Sequence, residues 1–261
     1  MLASDGRRFV YEKTQLAEVL CQLRFPTILS VESNAPVEFQ DTIRAVFPRY
    51  SCVTEPIADG TGEKRSQKNH TFITADGSYK LNLTQSFIAL STMRYTGWED
   101  FAGRLDEPLG QFIRIYRPAF FERIGLRYIN AISRQKLELE GYRWNDLLQP
   151  FCLGPLDLDE VEEESVESCS VDVKRRLDAQ IELRMHAGPG KLQRAVRNGP
   201  RIQTVQEPET RFILDLDLYA LGELQLQSTM ELLARLHDQA DKSFSEAITD
   251  TLHEAMEPVY V

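Results

Sequence analysis

The segment Gly125-Leu126-Arg127-Tyr128-Ile129-Asn130-Ala131-Ile132 is mostly apolar, and this composition predicts a buried strand in the middle of the chain. A similar order, Leu23-Arg24-Phe25, ends a predicted strand over residues 15–25 that alternates roughly in polarity. Leu23 and Leu126 stand 103 positions apart. The return of the Leu-Arg-aromatic pattern in two predicted strands suggests that the chain consists of two related halves.

The elements predicted around these two strands follow a similar order in each half. The first half has a predicted helix over 36–47, a hairpin of 71–74 and 79–83 around Asp76-Gly77, a strand over 87–92 and a helix over 98–117. Residues 54–69 hold few apolar side chains and predict a solvated loop. The second half has a predicted short helical segment over 142–148, strands over 166–175, 180–186 and 211–218, and a long helix over 225–256.

This order predicts an α+β fold with a pseudo-duplicated arrangement of strand, helix, three strands and helix. The two halves, 1–120 and 121–261, would share one core and form one curved antiparallel sheet with the longer helices packed on one face. The order of elements resembles that of the TATA-binding protein and of other two-fold saddle or helix-grip folds.

The composition excludes several classes of protein. The 261 residues are 42 % hydrophobic and 27 % charged, which is typical of a globular chain and excludes extended disorder, a collagen and a coiled-coil rod. No apolar run of about 18 residues occurs, so no transmembrane span is expected. The net charge of −10 disfavours a general nucleic-acid binder, because affinity there comes from neutralising phosphates. Residues 1–8 lack the apolar core of a secretion signal, and the expected location is the cytoplasm.

The sequence contains no recognisable catalytic, metal or cofactor motif. The cysteines Cys21, Cys52, Cys152 and Cys169 form no Cys-X-X-Cys pair, and the four histidines are scattered. We therefore expect reduced thiols, no metal and no cofactor. The run Gly188-Pro189-Gly190-Lys191 lacks the Ser or Thr of a phosphate-binding loop and predicts a hairpin or loop.

Two groups of basic residues are the candidate contacts to a ligand or partner. Arg24 and Arg127 hold matched positions in the two halves, so duplication predicts that they approach each other across a pseudo-two-fold axis, with Arg123 nearby. Ion pairs that stabilise the fold are the competing interpretation of these arginines. The second group comprises Lys174, Arg175, Arg176 and Arg184, continued by Lys191, Arg194, Arg197 and Arg201. Such a cluster could bind an anion or a nucleic-acid backbone, or neutralise acidic residues of the chain itself.

Two groups of acidic residues are also candidates. Asp215 and Asp217 alternate with leucines, which places both carboxylates on one face of a strand about 7 Å apart. They could bind a divalent cation or act as acid and base on a nucleotide or phosphoester, whereas a polar sheet face is the simpler interpretation. The run 157–167 holds seven acidic residues and predicts either a solvated loop or a docking element for a basic partner.

Several segments together carry a resemblance to a known family. They are 18–26, 39–44, 87–92, Tyr95 with 98–101, 123–130, Leu236-His237, Phe244 and 248–250, of which 123–130 is the most specific. Over nearly the whole chain they resemble a bacterial family known as the "sporadically distributed" proteins. The resemblance implies a bacterial origin and patchy inheritance, which suggests mobile elements or defence loci. The family has no assigned activity and supplies no site residue.

These observations favour a non-enzymatic binding protein of a bacterial accessory or defence-type system. Its ligand would be a protein partner, encoded nearby, or an anion. Two alternatives stay open. One is a metal-dependent nucleotide or phosphoester enzyme that uses Asp215 and Asp217, and the other is a nucleic-acid-binding saddle that uses the basic residues between 174 and 201.

Overall fold

The computed structural model describes residues 9–57, 65–198 and 201–260 of the chain. Over these residues the chain has an α+β fold built on a nine-stranded antiparallel sheet. The strands are β1 Phe9–Tyr11, β2 Leu16–Arg24, β3 Arg49–Ile57, β4 Arg65–Ile73, β5 Tyr79–Leu83, β6 Phe87–Thr92, β7 Phe121–Ile132, β8 Val171–Arg176, β9 Ile181–Gly190, β10 Gln193–Asn198, β11 Arg201–Gln206, β12 Arg211–Leu224 and β13 Pro258–Tyr260. The helices are α1 Leu29–Ser33, α2 Val37–Ile43, α3 Trp98–Tyr116, α4 Trp144–Leu147, α5 Thr229–Ala247 and α6 Asp250–Ala255.

The nine strands follow the order β3-β4-β5-β6-β2-β7-β12-β9-β8 across the sheet. The two strands that carry the Leu-Arg-aromatic pattern, β2 and β7, are neighbours at its centre, where Cys21 lies opposite Leu126. Strands β1 and β13 pair separately, and β10 and β11 form a hairpin of their own. The sheet therefore has two edges, β3 on one side and β8 on the other.

Alternation along the strands separates a core face from a polar face. On β12 the residues Phe212, Leu214, Leu216 and Leu218 are buried, and the residues between them point to the opposite side of the sheet. Helices α3 and α5 cover the buried face, and Phe25 at the end of β2 packs against Phe112 of α3 with ring centroids 4.7 Å apart. All the long helices thus lie on one face of the sheet, as the sequence predicts.

The prediction of a loop over 54–69 is wrong where the structure describes these residues, because β3 runs to residue 57 and β4 begins at residue 65. The polar residues that suggested a loop instead bond to one another across the strands. The Asn82 amide donates to Asn69 at 2.8 Å and to Thr71 at 3.0 Å, and Asn69 donates to Glu55 at 3.1 Å. A sheet face stabilised by such bonds needs few apolar side chains.

The long C-terminal helix predicted over 225–256 is divided into α5 and α6. Ile248, the first of the two residues between them, is extended and forms a bridge with Leu148 next to α4. Thr249 then begins the new helix, because its side chain accepts a hydrogen bond from the Leu252 amide. No helix among the described residues is both long and apolar enough to cross a membrane.

Candidate binding face

The face of the sheet opposite α3 and α5 carries eight of the charged residues that the sequence singled out. We call it the open face and define it by the outward residues of the central strands and of β8 and β9. These are Leu20, Gln22, Arg24, Arg123, Gly125, Arg127, Asp215, Asp217, Tyr219, Glu182, Arg184, His186, Asp172, Lys174 and Arg176. Strand register brings them together from positions more than 150 residues apart, so the candidate site depends on the tertiary fold.

Two arginine–aspartate pairs join β7 to β12 across the open face. Arg127 donates from Nε to Asp215 Oδ1 at 2.7 Å and from Nη2 to the second oxygen of the same carboxylate. Arg123 donates from Nη2 to Asp217 Oδ1 at 2.6 Å. The side chain of Asp215 is only 13 % exposed, and hydrogen bonding to it raises the pKa of Arg127 above its ordinary value. Both pairs therefore hold their charge on a partly buried part of the face.

Gly125 makes room for the side chain of Arg123. A Cβ atom on Gly125 would lie 2.0 Å from Arg123 Nη1, so the guanidinium occupies the space that any other residue would fill. The Cζ atom of Arg123 lies 4.8 Å from the ring centroid of Tyr219, and Tyr219 is directly opposite Gly125 on β12. The Tyr219 ring and Asp217 together position Arg123 flat along the sheet.

Three other cations on this side of the sheet, away from its two edge strands, are exposed and have no ion-pair partner among the described residues. They are Arg24 on β2, Arg184 on β9 and Lys80 on β5, whose outward side lies on the same face. Arg184 is directly opposite both Asp217 and Lys174, but Asp217 bonds Arg123 and Lys174 bonds Glu182 at 2.8 Å. The open face thus presents positive charge although the whole chain carries −10.

The structure brings six of the seven predicted contact residues to one face and separates one. Arg175 lies opposite Leu183 in the register and points to the helix side of the sheet, so it does not join the open face. The pairing predicted across the centre also differs, since Arg24 is opposite Arg123 and not opposite Arg127. The side chains of Arg194, Arg197 and Arg201 lie outside the described residues.

Asp215 and Asp217 share a face, as the alternation predicts, but each accepts hydrogen bonds from an arginine. A divalent cation would have to displace both guanidinium groups. Among the described residues no group of three or more His, Cys, Asp or Glu side chains could hold a metal ion. The geometry therefore favours these carboxylates as the partners of Arg123 and Arg127.

The acidic run 157–167 is more ordered than a solvated loop at one position. Glu163 accepts hydrogen bonds from the Trp144 amide at the start of α4 and from Arg134 Nη1 at 2.9 Å. Arg143 donates to the Val161 carbonyl at 2.8 Å. Asp159, Glu160, Glu162, Glu164 and Glu167 remain exposed. Glu163 thus fixes the run to the protein, and these five acidic side chains face solvent.

A cluster of aromatic and imidazole rings lies on the opposite, helix-covered face. His237 and Asp241 lie one turn apart on α5, and His237 Nε2 is 3.5 Å from Asp241 Oδ2. The fold adds Tyr128, whose hydroxyl is 2.9 Å from His237 Nδ1, and Trp98, which stacks on the imidazole at 4.7 Å. Burial raises the pKa of Tyr128 well above its ordinary value. Only i,i+4 spacing was visible in the sequence, because Tyr128 and Trp98 come from other elements.

Comparison with known proteins adds no relative: no protein-family model matches the chain, and neither does any curated protein. The resemblance to the "sporadically distributed" proteins stays a prediction.

Proposed function

We propose that this chain is a non-enzymatic binding protein whose open face engages an acidic surface of a protein partner. The observation that carries the proposal is the exposure of Arg24, Arg184 and Lys80 beside two arginine–aspartate pairs that already satisfy the carboxylates. Because these cations stand on a rigid sheet, little conformational entropy of the backbone is lost on binding.

A protein partner fits this face better than a nucleic acid does. The chain's net charge of −10 repels both kinds of acidic partner at long range, but it repels a phosphate backbone more strongly, because duplex DNA carries one negative charge per about 1.7 Å whereas a protein surface carries mixed charges. Unpaired bases also need exposed aromatic rings to stack on, and Tyr219, the aromatic side chain at the centre of the face, is only 5 % exposed. The cations instead alternate with Asp172 and His186 on neighbouring positions, a mixture of charges that suits a folded protein surface.

We place this binding role in a bacterial accessory or defence-type system, with the partner encoded nearby. This part of the proposal rests on the family resemblance of segments such as 123–130.

We also propose that the fold arose by internal duplication of the halves 1–120 and 121–261, which would give a saddle or helix-grip arrangement. The strand order supports this, because β2 is followed outward by β6, β5 and β4 while β7 is followed by β12, β9 and β8. Within the nine-stranded sheet, the first strand of each half, β2 or β7, is central, and the last strand of that half, β6 or β12, lies beside it. Strand β3 has no equivalent in the second half of this order.

The proposal is tested with a fluorescent polyglutamate peptide as the acidic probe and a single-stranded oligonucleotide as the competing one. We expect polyglutamate to bind and Arg24→Glu and Arg184→Glu each to weaken it about fivefold, since an exposed ion pair contributes up to about 1 kcal/mol. Lys242→Glu is the matched control, because Lys242 is an exposed cation on α5, on the other side of the sheet.

Two outcomes would contradict the proposal. If Lys242→Glu weakens polyglutamate binding as much as Arg24→Glu does, the open face is not the binding surface. If the oligonucleotide binds more tightly than polyglutamate and loses affinity in the same open-face variants, the nucleic-acid saddle is the better account.

A further inference from the structure

The edge strand β3 has a sequence that is complementary to itself in an antiparallel arrangement. It belongs to the segment Pro48-Arg49-Tyr50-Ser51-Cys52-Val53-Thr54-Glu55-Pro56, whose centre is Cys52. Arg49 and Glu55 stand three positions on either side of this centre, and Pro48 and Pro56 stand four positions on either side. A two-fold axis through Cys52 would therefore place each arginine opposite a glutamate and each proline opposite a proline.

This strand is available for pairing. It is the last strand on its side of the nine-stranded sheet, and in the described part of the chain its outer edge has no partner. Tyr50 is 41 % and Val53 is 56 % exposed, and Cys52 is exposed as well. A long strand with an exposed edge and apolar side chains readily adds another strand, and natural proteins usually protect such edges.

The opposite edge of the sheet is protected in a way that β3 is not. Strand β8 carries Lys174, Arg175 and Arg176 in succession, and like charges oppose pairing of this edge with a copy of itself. The side chains of Arg49 and Glu55 carry opposite charges. Both lie on the open-face side, because their partners on β4, Ile73 and Gln67, are an even number of residues apart and so point to the same face of the sheet. The difference in charge between the two edges therefore selects β3 for self-association.

From these observations we propose that β3 pairs antiparallel with β3 of a second copy of this chain, in the register that sets Cys52 opposite its equivalent. The two sheets then continue across a two-fold axis, and the interface is isologous. Two Arg49–Glu55 ion pairs form across it, one on each side of the axis. Tyr50 faces Thr54, and Ser51 faces Val53.

The prolines and charges exclude the neighbouring registers. A shift that centres the axis on Val53 places Pro56 opposite Tyr50 and Glu55 opposite Ser51, so a residue without an N–H enters the ladder and the ion pairs are lost. A shift that centres it on Ser51 places Pro48 opposite Thr54 with the same two effects. Only the register centred on Cys52 keeps seven residues, 49–55, in the ladder with both prolines outside it.

Disulfide cross-linking tests directly whether Cys52 lies opposite Cys52 of the second copy. Residues directly opposite each other in an antiparallel ladder have Cα atoms about 4.5–5.5 Å apart, within the range of about 4.4–6.8 Å that a disulfide spans. Diamide is the oxidant: two Cys52 thiols lose two protons and two electrons to the azo group, which becomes a hydrazine as the S–S bond forms. We expect fast formation of a cross-linked dimer that Cys52→Ser abolishes.

The matched control moves the thiol by one residue. In the background of Cys52→Ser, the variant Ser51→Cys carries an equally exposed thiol that faces Val53 of the second copy. We expect its cross-linking to be at least tenfold slower. If both thiols cross-link at the same rate, the dimer forms by random collision and the proposal is wrong.

A charge exchange tests the interface without oxidation. Sedimentation over a wide concentration range should show a reversible monomer–dimer equilibrium. Arg49→Glu and Glu55→Arg should each weaken the dimer about tenfold, because two attractive cross-strand pairs become repulsive. The double variant, in which the charges are exchanged, should regain the native affinity. A native chain that stays monomeric throughout, or a double variant that dimerises no better than the single ones, would overturn the proposal.

Discussion

Arg127 binds the carboxylate of Asp215, although Asp217 is the residue directly opposite it on β12. Asp217 is instead bound by Arg123, which lies four residues before Arg127 in β7 and reaches the carboxylate by lying across Gly125. In each pair the arginine therefore bonds an aspartate that is not directly opposite it, and the two diagonal pairs together connect β7 to β12 over several residues. This arrangement uses the carboxylates for the fold and leaves other cations for a partner.

The Arg127–Asp215 pair should contribute to stability more than the exposed arginines do. Arg127→Met leaves Asp215 partly buried without its guanidinium, so we expect a loss of about 1–3 kcal/mol in the free energy of unfolding. Arg24→Met, at an exposed position of the same face, should change it by about 0.5 kcal/mol or less. Urea denaturation measures both. Equal losses in the two variants would show that the diagonal pair has no special role.

Glu163 should be distinguished from its acidic neighbours by the same measurement. Glu163→Gln weakens the bonds to Arg134 and to the Trp144 amide, and we expect it to cost about 1–3 kcal/mol. Glu164→Gln, one residue away and exposed, is the control and should cost less than about 0.5 kcal/mol. If the two variants have the same stability, the acidic run is a solvated loop throughout.

The buried imidazole of His70 should make stability depend on pH. Its Nδ1 lies 2.9 Å from the Tyr50 hydroxyl and its Nε2 lies 3.3 Å from the Val31 carbonyl, and burial lowers the pKa of His70 below its ordinary value. As the pH falls, the unfolded chain takes up this proton first, so the folded state loses stability below about pH 6.5. His70→Gln should reduce the loss of stability between about pH 7 and pH 5. If stability depends on pH in this variant as it does in the native chain, His70 is not the group responsible.

Phe25 should be one of the most sensitive positions of the core. It is 1 % exposed and packs on Phe112 of α3, so Phe25→Ala creates a cavity and should cost about 3–5 kcal/mol. Leu29, only four residues later, is 73 % exposed, and Leu29→Ala should leave the free energy of unfolding nearly unchanged. Thermal or urea unfolding that shows similar losses for both would place Phe25 outside the core.

The strands at the centre of the sheet could be predicted from the sequence because apolar alternation is a local signal. The predicted strand over 15–25 corresponds to β2, and the predicted helix over 98–117 corresponds to α3. The edge of the sheet could not be predicted in this way. Strands β3 and β4 are stabilised by polar bonds such as Asn69 to Glu55, which connect residues on different strands and leave no apolar alternation to detect.

The candidate site was predictable only in part, for the same reason. Alternation placed Asp215 and Asp217 on one face, but their arginine partners depend on the register between β7 and β12. Arg175 was grouped with Lys174 and Arg176 because they are consecutive, whereas consecutive residues of a strand point to opposite faces. Cross-strand neighbours are therefore the part of the site that the sequence did not reveal.

The measurement that tests the central claim most directly is a lysine footprint of the chain with and without an excess of polyglutamate. Lysine side chains are acetylated under mild conditions and the modified positions are read by mass spectrometry. If the open face binds acidic partners, the probe protects Lys80 and Lys174, while Lys242 on α5 and Lys136 after β7 react as before. Protection of Lys242 and Lys136, with Lys80 and Lys174 unchanged, would contradict the claim.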